Sequence, residues 1–475
     1  MTNKVKTIFA NMSWLMVSQI ITSACAFIWT IITARYLGPS DNGIFGTAVS
    51  FTVLFAVLAD FGMTTYIVRA ISTDFENEGK YLNNAISLKL FLSILYLSVV
   101  CLAMVIFGYD NFMMIICFLF AIESLIKSFQ YAFCAPIQAH EMMKYQAIAN
   151  IIINVLTLVF IVFVTFTKWG LYGIAFAYIL ANIFALIYTI IIITKKTVKP
   201  RFSFDPSFYK KLLMGGIPFA LTGIFYTIYY SIDLVMITQF ANTYDTGLYN
   251  AAYKLITVLT LFYTIYSSVI FPVMSKLFVD ESDLLHLSFV KSIKYLLMVT
   301  IPIAIFTAFY SYDLINIYGP QYIEAGGVLK VLIWTVCFLF VNSACSLLLN
   351  ASHEEYSVTK IYSIAALFNV ALNLILIPKY SVYGASVATV LSEILILLLQ
   401  LYMIRKINHL PGRHLIYDIL KICLASGVLA IILYYLNLNM WVAMPVSIVV
   451  YFAVIIAIRT FDREDKLIVK QIINR

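Results

Sequence analysis

Charged side chains inside apolar segments are the residues of this sequence that could do chemistry. A charged group near the centre of a membrane segment costs at least about 2.5 kcal/mol, so it usually faces a cavity or a partner. Such groups can bind the charged or polar part of a substrate that crosses a membrane. The candidates are Arg35, Asp60, Glu123, Lys127, Asp233, Lys254 and Glu393.

Glu123 and Lys127 are four residues apart, so they share one face of a helix. Two interpretations are open. The carboxylate and the ammonium group neutralise each other as a structural ion pair, or both face a cavity and contact substrate.

Asp233 shares a helical face with Tyr226 and Tyr229, at spacings of seven and four residues. A carboxylate beside aromatic rings suits sugar binding, because rings stack on pyranose faces while the acid accepts hydroxyl protons. The sequence also holds 33 tyrosines, so the alignment can arise by chance.

The other candidates each allow a functional and a structural role. Asp60 contacts substrate, or it caps or pairs with a neighbouring helix. Arg35, at the outer end of the first predicted helix, binds a phosphate or anchors the chain at the membrane interface. Lys254 and Glu393 lie within apolar segments and are further substrate-binding candidates.

The composition shows which elements must position these residues. Of the 475 residues, 63% are hydrophobic and 11% charged, whereas a soluble domain carries about 25% charged residues. Lipid must therefore be the solvent for most of the chain. The long apolar runs are expected to be helices, because a helix satisfies its own backbone hydrogen bonds in lipid. The apolar runs predict an all-α integral membrane protein with about fourteen transmembrane helices, at 13–37, 44–69, 83–107, 112–134, 146–167, 170–193, 213–238, 247–271, 292–312, 326–348, 360–377, 381–404, 415–436 and 440–458.

Basic residues predict the orientation of these helices. With a cytoplasmic N-terminus, 25 of the 31 Lys and Arg residues fall at cytoplasmic connections. This asymmetry is the positive-inside pattern of a multi-pass protein of the cytoplasmic membrane with both termini cytoplasmic. Nucleic-acid binding is not expected, because the basic residues are scattered over many segments. Only Arg35, Lys168 and Lys379 fall at outer connections, and Lys127, Lys254 and Lys330 lie within helices.

Two passages repeat and predict an internal duplication. Gly43 corresponds to Gly247 at an offset of 204 residues, and Gly173 to Gly384 at an offset of 211. At the second offset Glu393 stands where the first repeat has Asn182, which suggests that the scaffold does not require its charge. Both repeats enter the membrane from the same side, as in several transporter folds. The predicted parts are an N-terminal six-helix lobe at 1–196, a cytoplasmic linker at 197–212, a C-terminal six-helix lobe at 213–404, and helices 13 and 14 with a cytoplasmic tail at 405–475.

Motifs of catalysis and metal binding are missing from the sequence. The seven cysteines form no CxxC pair, and there is no metal-ligand cluster, nucleophile elbow or phosphate-cradling glycine loop. We therefore expect no metal, no cofactor and no catalytic residues.

The motifs AxYLGPxxxGxF around Arg35 and DFGM at Asp60–Met63 resemble the first two helices of O-antigen and polysaccharide flippases. In the second half TGLYNAAYKL, NLILIPKY and YGASVAT are similar to the same group, which belongs to the multidrug/oligosaccharidyl-lipid/polysaccharide exporter superfamily. The resemblance implies a V-shaped pair of six-helix lobes that flips a lipid-pyrophosphate-linked oligosaccharide. One departure is Ser381, which replaces the usual glycine before helix 12, while Gly384 is kept.

These observations predict a lipid-linked oligosaccharide flippase for surface polysaccharide biosynthesis that works by alternating access. Lys127, Lys254 and Arg35 are expected to meet the pyrophosphate, and Tyr226, Tyr229 and Asp233 the sugars. Membrane lipid, polysaccharide assembly proteins and a coupling ion are further partners that this function allows. Two alternatives stay open: an ion-coupled drug or metabolite exporter of the same superfamily, and a membrane-embedded polysaccharide polymerase.

Overall fold

The computed structural model describes residues 2–280, 282–462 and 465, and every regular element in those ranges is a helix. Three short 3-10 turns lie at Phe75–Asn77, Asn316–Tyr318 and Pro320–Tyr322. The α-helices are α1 Thr2–Phe55, α2 Val57–Asp60, α3 Met63–Thr73, α4 Glu78–Ile106, α5 Asn111–Ala139, α6 Met143–Thr167, α7 Gly170–Lys196, α8 Pro206–Phe240, α9 Thr243–Asp280, α10 Ser282–Phe309, α11 Ser311–Ile315, α12 Ala325–Leu332, α13 Trp334–Ala351, α14 Glu355–Lys406, α15 Arg413–Leu436 and α16 Met440–Ala457.

Twelve helical segments of the described chain are long and apolar enough to cross a membrane. Two of them, Ala10–Asp60 and Glu355–Lys406, have 51 and 52 residues, which is more than twice the roughly 20 needed for one crossing. Each therefore accommodates two crossings, and the prediction of about fourteen transmembrane helices is confirmed. The outward faces fit this environment, since large apolar side chains such as Ile106 and Phe166 are 73% and 81% exposed.

Both long segments bend at one non-helical residue, where the sequence predicted a loop between two helices. Gly38 has φ 75° in α1, and Ser381 has φ 47° in α14. Positive φ is cheap for glycine and costly for serine. The hydroxyl of Ser381 donates a hydrogen bond to the Asp245 carboxylate, which holds the serine in this conformation.

The predicted second helix, 44–69, is interrupted rather than continuous. Phe61 and Gly62 both adopt left-handed backbone conformations, with φ 50° and 70°, and they separate α2 from α3. The carbonyl oxygen of Gly216 in α8 lies so close to Gly62 that a Cβ atom there would overlap it. The break therefore depends on a residue without a side chain, at the point where α8 packs against the turn.

The chain folds into two compact units. One comprises the residues up to Lys254 together with Val370–Ala385, and the other comprises Leu255–Asn369 together with Ser386 onward. Helices α9 and α14 contribute to both. The predicted division at the linker 197–212 is drawn from the duplication and stays a prediction.

Within the first unit, segment 39–43 of the first repeat and segment 243–247 of the second contact each other reciprocally. We call these two segments the corners of the repeats. A Cβ atom on Gly43 would overlap the carbonyl oxygen of Thr243, and one on Gly247 would overlap that of Pro39. The offset of 204 residues relates Pro39 to Thr243 as well as Gly43 to Gly247. Two corners related by a twofold axis give such reciprocal contacts. The close approach is possible only because Gly43 and Gly247 lack side chains.

In the second unit, a network of charges joins α10 to α15 and to two carboxylates that follow α16, Asp462 and Asp465. Nζ of Lys294 lies 2.7 Å from Asp465 and 3.2 Å from Asp418, and Nζ of Lys291 lies 2.9 Å from Asp465. Lys291 also pairs with Asp462. Burial alone would raise the pKa of Asp465, but hydrogen bonds from Lys294, Tyr295 and Lys291 hold it well below its usual range.

Three lysines that the orientation count assigned to cytoplasmic connections are buried in ion pairs: Lys89, Lys291 and Lys294. Their positions are explained by their carboxylate partners inside the protein, so they carry no information about orientation. The remaining basic residues at cytoplasmic connections still far outnumber those at outer ones.

Candidate functional site

The first unit has an open cavity of about 670 Å³ between its helices. Apolar residues of α1 form one wall, and polar residues of α5 form another. Helices α2, α3, α6, α7 and α8 complete the lining. The polar residues that line it are Asp60, Thr64, Thr65, Glu123, Ser124, Lys127, Ser128, Tyr131, Gln138, Gln146, Tyr178 and Thr227. Three predicted site residues, Asp60, Glu123 and Lys127, are thus brought together.

Asp60 lies at the end of α2 and pairs with a lysine of α4. The Lys89 ammonium group lies 2.6 Å from the Asp60 carboxylate and donates hydrogen bonds to the backbone and side-chain oxygens of Ser128. The Thr64 hydroxyl also donates to Asp60. Lys89 is fully buried, so its charge is compensated inside the protein. This pairing with a neighbouring helix is the structural role expected for Asp60, although its carboxylate also faces the cavity.

Glu123 bonds to an amide of α7 rather than to Lys127. Nδ2 of Asn182 donates to Oε1 of Glu123 at 2.9 Å and to the carbonyl oxygen of Tyr178 at 3.0 Å. Both donors of the amide are therefore used. In the described chain, no ion pair forms between Glu123 and Lys127, although they share one face of α5.

Lys127 lines this cavity, and its ammonium group is available to bind a ligand. Its ammonium group forms no hydrogen bond and no ion pair with any residue that the structure describes. Tyr131, one turn further along α5, lines the cavity beside it. Lys254 of α9 lies close enough for the two positive charges to repel each other.

Asp233, Tyr226 and Tyr229 are placed elsewhere on α8. The Asp233 carboxylate accepts hydrogen bonds from Asn373 at 2.6 Å and from the Tyr249 hydroxyl at 2.8 Å. It is 7% exposed, and Tyr229 is 5% exposed, whereas Tyr226 is 56% exposed. None of the three lines the cavity described above.

Arg35 and Glu393 are also not among the residues that line this cavity. Arg35 is exposed on α1. Glu393 belongs to the second unit, is 4% exposed, and accepts a hydrogen bond of 2.7 Å from Asn342. In the first repeat the acid, Glu123, lies on α5 and the amide, Asn182, lies on α7. In the second repeat the amide lies on α13 and the acid on α14, so the two side chains have exchanged helices.

Two residues of the site escaped the sequence analysis. Lys89 was counted with the cytoplasmic connections, because it lies only seven residues into the predicted third helix. Asn182 appeared only as the counterpart of Glu393. Asn182 is 59 residues from Glu123 in the chain, so no local sequence pattern indicates that they are in contact. The correspondence of Asn182 to the charged residue Glu393 in the second repeat was the one indication that the sequence offered.

Comparison with known proteins places the chain among membrane transport proteins. Residues 8–278 match the model of a family described as "Polysaccharide biosynthesis protein". The capsular polysaccharide biosynthesis protein CapF of Staphylococcus aureus is 22% identical, over 84% of this chain and 99% of its own. Agl15 of Haloferax volcanii, a probable low-salt glycan biosynthesis flippase, is 23% identical over 80% of this chain and 79% of its own.

A solved structure shares the fold. The lipid II flippase MurJ in an inward closed conformation superposes with a TM-score of 0.73 at 17% identity, over 93% of this chain and 99% of that one. At this identity the likeness concerns the fold alone.

Proposed function

Because the chain belongs to the polysaccharide biosynthesis protein family, we propose that it is a flippase for a lipid-pyrophosphate-linked oligosaccharide. It carries this substrate across the cytoplasmic membrane by alternating access, with both termini in the cytoplasm. Agl15, the relative named as a probable flippase, supports the class of activity. The basic residues at alternate connections support the orientation.

The available charge of Lys127 is the observation that carries the proposal. A charged group without an ion-pair partner inside a protein costs several kcal/mol, so an ammonium group that no carboxylate contacts in a membrane cavity is suited to an anion that arrives from outside. Lys254 strengthens this argument, since it repels Lys127. A pyrophosphate with two negative charges would offset the repulsion between the two ammonium groups.

The polar lining beyond Lys127 suits the sugar part of the substrate. Gln138 and Gln146 offer amide donors and acceptors, and Tyr131 offers a ring that can stack on a pyranose face. We propose these three residues as sugar contacts. The contacts predicted for Tyr226, Tyr229 and Asp233 stay predictions, as does a phosphate contact of Arg35.

The two alternatives from the sequence make different demands on the cavity. An ion-coupled drug or metabolite exporter would be hindered by Lys127 where its substrate is a cation, because like charges repel. A polymerase would need groups that break and form glycosidic bonds, for which paired carboxylates are the usual means. Asp60 and Glu123 both line the cavity, but hydrogen bonds from Lys89 and Asn182 engage them.

Surface glycan export in cells that depend on this protein tests the proposal. Lys127→Ala should reduce export by at least about tenfold at normal protein level, the loss expected for one charge-assisted contact of about 1.5–3 kcal/mol. Lys127→Arg should retain part of the activity, because the charge survives while its geometry changes. Lys330, an exposed lysine of α12, provides the matched control Lys330→Ala, which should export normally.

Two results would overturn the proposal. One is normal export from Lys127→Ala. The other is an equal loss from Lys127→Ala and Lys330→Ala, which would show that removal of any membrane lysine disturbs the protein.

A further inference from the structure

We propose that Asn182 is a positioning residue, which holds the Glu123 carboxylate away from Lys127 and so keeps the Lys127 ammonium group available to an anionic headgroup. The inference rests on the proposed function, and it adds a residue whose role is to prevent the site from neutralising itself.

The geometry at Asn182 fits this role. The side chain is 1% exposed, and its two amide protons go to Glu123 and to the Tyr178 carbonyl of its own helix. The second bond fixes the orientation of the amide, so the first can hold the carboxylate in one place. Glu123 is itself 9% exposed, which makes this hydrogen bond hard for water to replace.

Without the amide, Lys127 is the partner that Glu123 would take. The two residues are four apart on α5 with the glutamate on the N-terminal side, which is the favourable order for an ion pair along a helix. The two side chains already attract each other electrostatically, although they form no ion pair in the described chain. Such a pair would occupy the cation that the substrate needs.

The second repeat keeps the bridge but not the cation. There Asn342 of α13 donates to Oε2 of Glu393 in α14 at 2.7 Å. Four residues after Asn342, where Lys127 follows Glu123 in the first repeat, the chain has Ser346. Its hydroxyl accepts a hydrogen bond from Gln400 at 2.8 Å.

This comparison separates the structural role of the bridge from its functional role. A buried Glu–Asn bridge holds two helices together in both repeats. Only in the first does a lysine stand beside it, so only there should loss of the amide affect the binding of an anion. The second repeat therefore supplies a matched control within the same chain.

Binding of inorganic pyrophosphate to the purified full-length protein tests the inference. Asn182→Leu should weaken the affinity about tenfold, because Glu123 then pairs with Lys127 and removes a charge-assisted contact. The double variant Asn182→Leu, Glu123→Gln should bind within about twofold of wild type, because the neutral amide no longer competes for the ammonium group. Asn342→Leu should leave the affinity unchanged.

The outcomes distinguish this inference from the function on which it rests. If Lys127→Ala weakens binding while Asn182→Leu does not, the positioning role is wrong and the cationic site stands. If Asn182→Leu weakens binding and Glu123→Gln fails to restore it, the amide has only a structural role. Unchanged binding in Lys127→Ala would overturn the cationic site itself.

A folding defect would not hide the answer. Thermal unfolding of Asn182→Leu is compared with that of Asn342→Leu, which loses the same kind of bridge. Should Asn182→Leu not fold, Asn182→Ser removes the amide with less change in polarity and is expected to show the same tenfold loss and the same rescue. Unchanged pyrophosphate affinity in a folded Asn182→Ser protein would contradict the inference.

Discussion

At the scale of single residues, two lysines near the cavity are in opposite circumstances. Lys89 is fully buried against Asp60 and Ser128, and its charge is compensated by the protein. Lys127 faces the cavity and pairs with no described residue. One lysine belongs to the structure of the unit, while the other is available to a ligand.

The same substitution at both positions separates these roles. Lys89→Met should lower the free energy of unfolding by about 3 kcal/mol or more, since it leaves the Asp60 carboxylate without its cation. Lys127→Met should cost little or nothing, because it breaks no ion pair and buries an apolar chain instead. Thermal unfolding of the purified variants in detergent measures both.

A double variant provides the control for Lys89. Replacing both partners in Lys89→Met, Asp60→Asn should recover most of the lost stability, because no uncompensated charge remains. If Lys127→Met were as destabilising as Lys89→Met, the account of Lys127 as an unpaired cation would be wrong.

The sequence could identify the charged residues of the site but not their partners. Asp60, Glu123 and Lys127 were predicted because charge is rare in apolar helices and costly there. Their hydrogen bonds depend on residues of other helices, such as Lys89 and Asn182, and on side-chain directions that packing decides. The spacing of Glu123 and Lys127 favoured an ion pair, yet the Asn182 amide takes the carboxylate.

At the scale of elements, the reciprocal corners of the first unit make a prediction about glycine. Gly43→Ala and Gly247→Ala should each destabilise the protein by about 1–3 kcal/mol, the usual cost of overpacking, because the new Cβ atom would overlap a carbonyl oxygen of the other corner. The two effects should be similar, since each glycine faces the equivalent backbone position. Thermal unfolding and the level of protein in the membrane measure them.

Gly427 of α15 is the matched control. A Cβ atom there would meet nothing within 4 Å, so Gly427→Ala should be neutral or slightly stabilising. Wild-type stability of Gly43→Ala would show that the corners do not pack closely in the functioning protein.

Helix positions followed from hydropathy, whereas the interruption within the second predicted helix did not. Most predicted spans agree with α4 to α16 to within several residues, because a hydrocarbon core requires long apolar runs. The break at Phe61–Gly62 lies inside one apolar run, and only the close approach of α8 explains it. The predicted breaks near Gly38 and Ser381 are present, and each is a single non-helical residue rather than a loop of several residues.

At the scale of the whole molecule, the duplication supplies the fold and the differences between the repeats supply the site. Both repeats keep a buried Glu–Asn bridge, and one has Lys127 where the other has Ser346. The duplication was visible in the sequence because its glycines and loops are retained. The asymmetry could be interpreted only once the bridge in each repeat was known.

Transport in reconstituted vesicles tests the central claim most directly. A fluorescent oligosaccharide linked through pyrophosphate to a lipid is placed in one leaflet, and its appearance in the other is followed with a membrane-impermeant quencher. Wild type and Lys330→Ala should move the label well above the rate of protein-free vesicles, and Lys127→Ala should move it at least about tenfold more slowly than wild type. Transfer by Lys127→Ala at the wild-type rate, or by wild type at the rate of empty vesicles, would contradict the account.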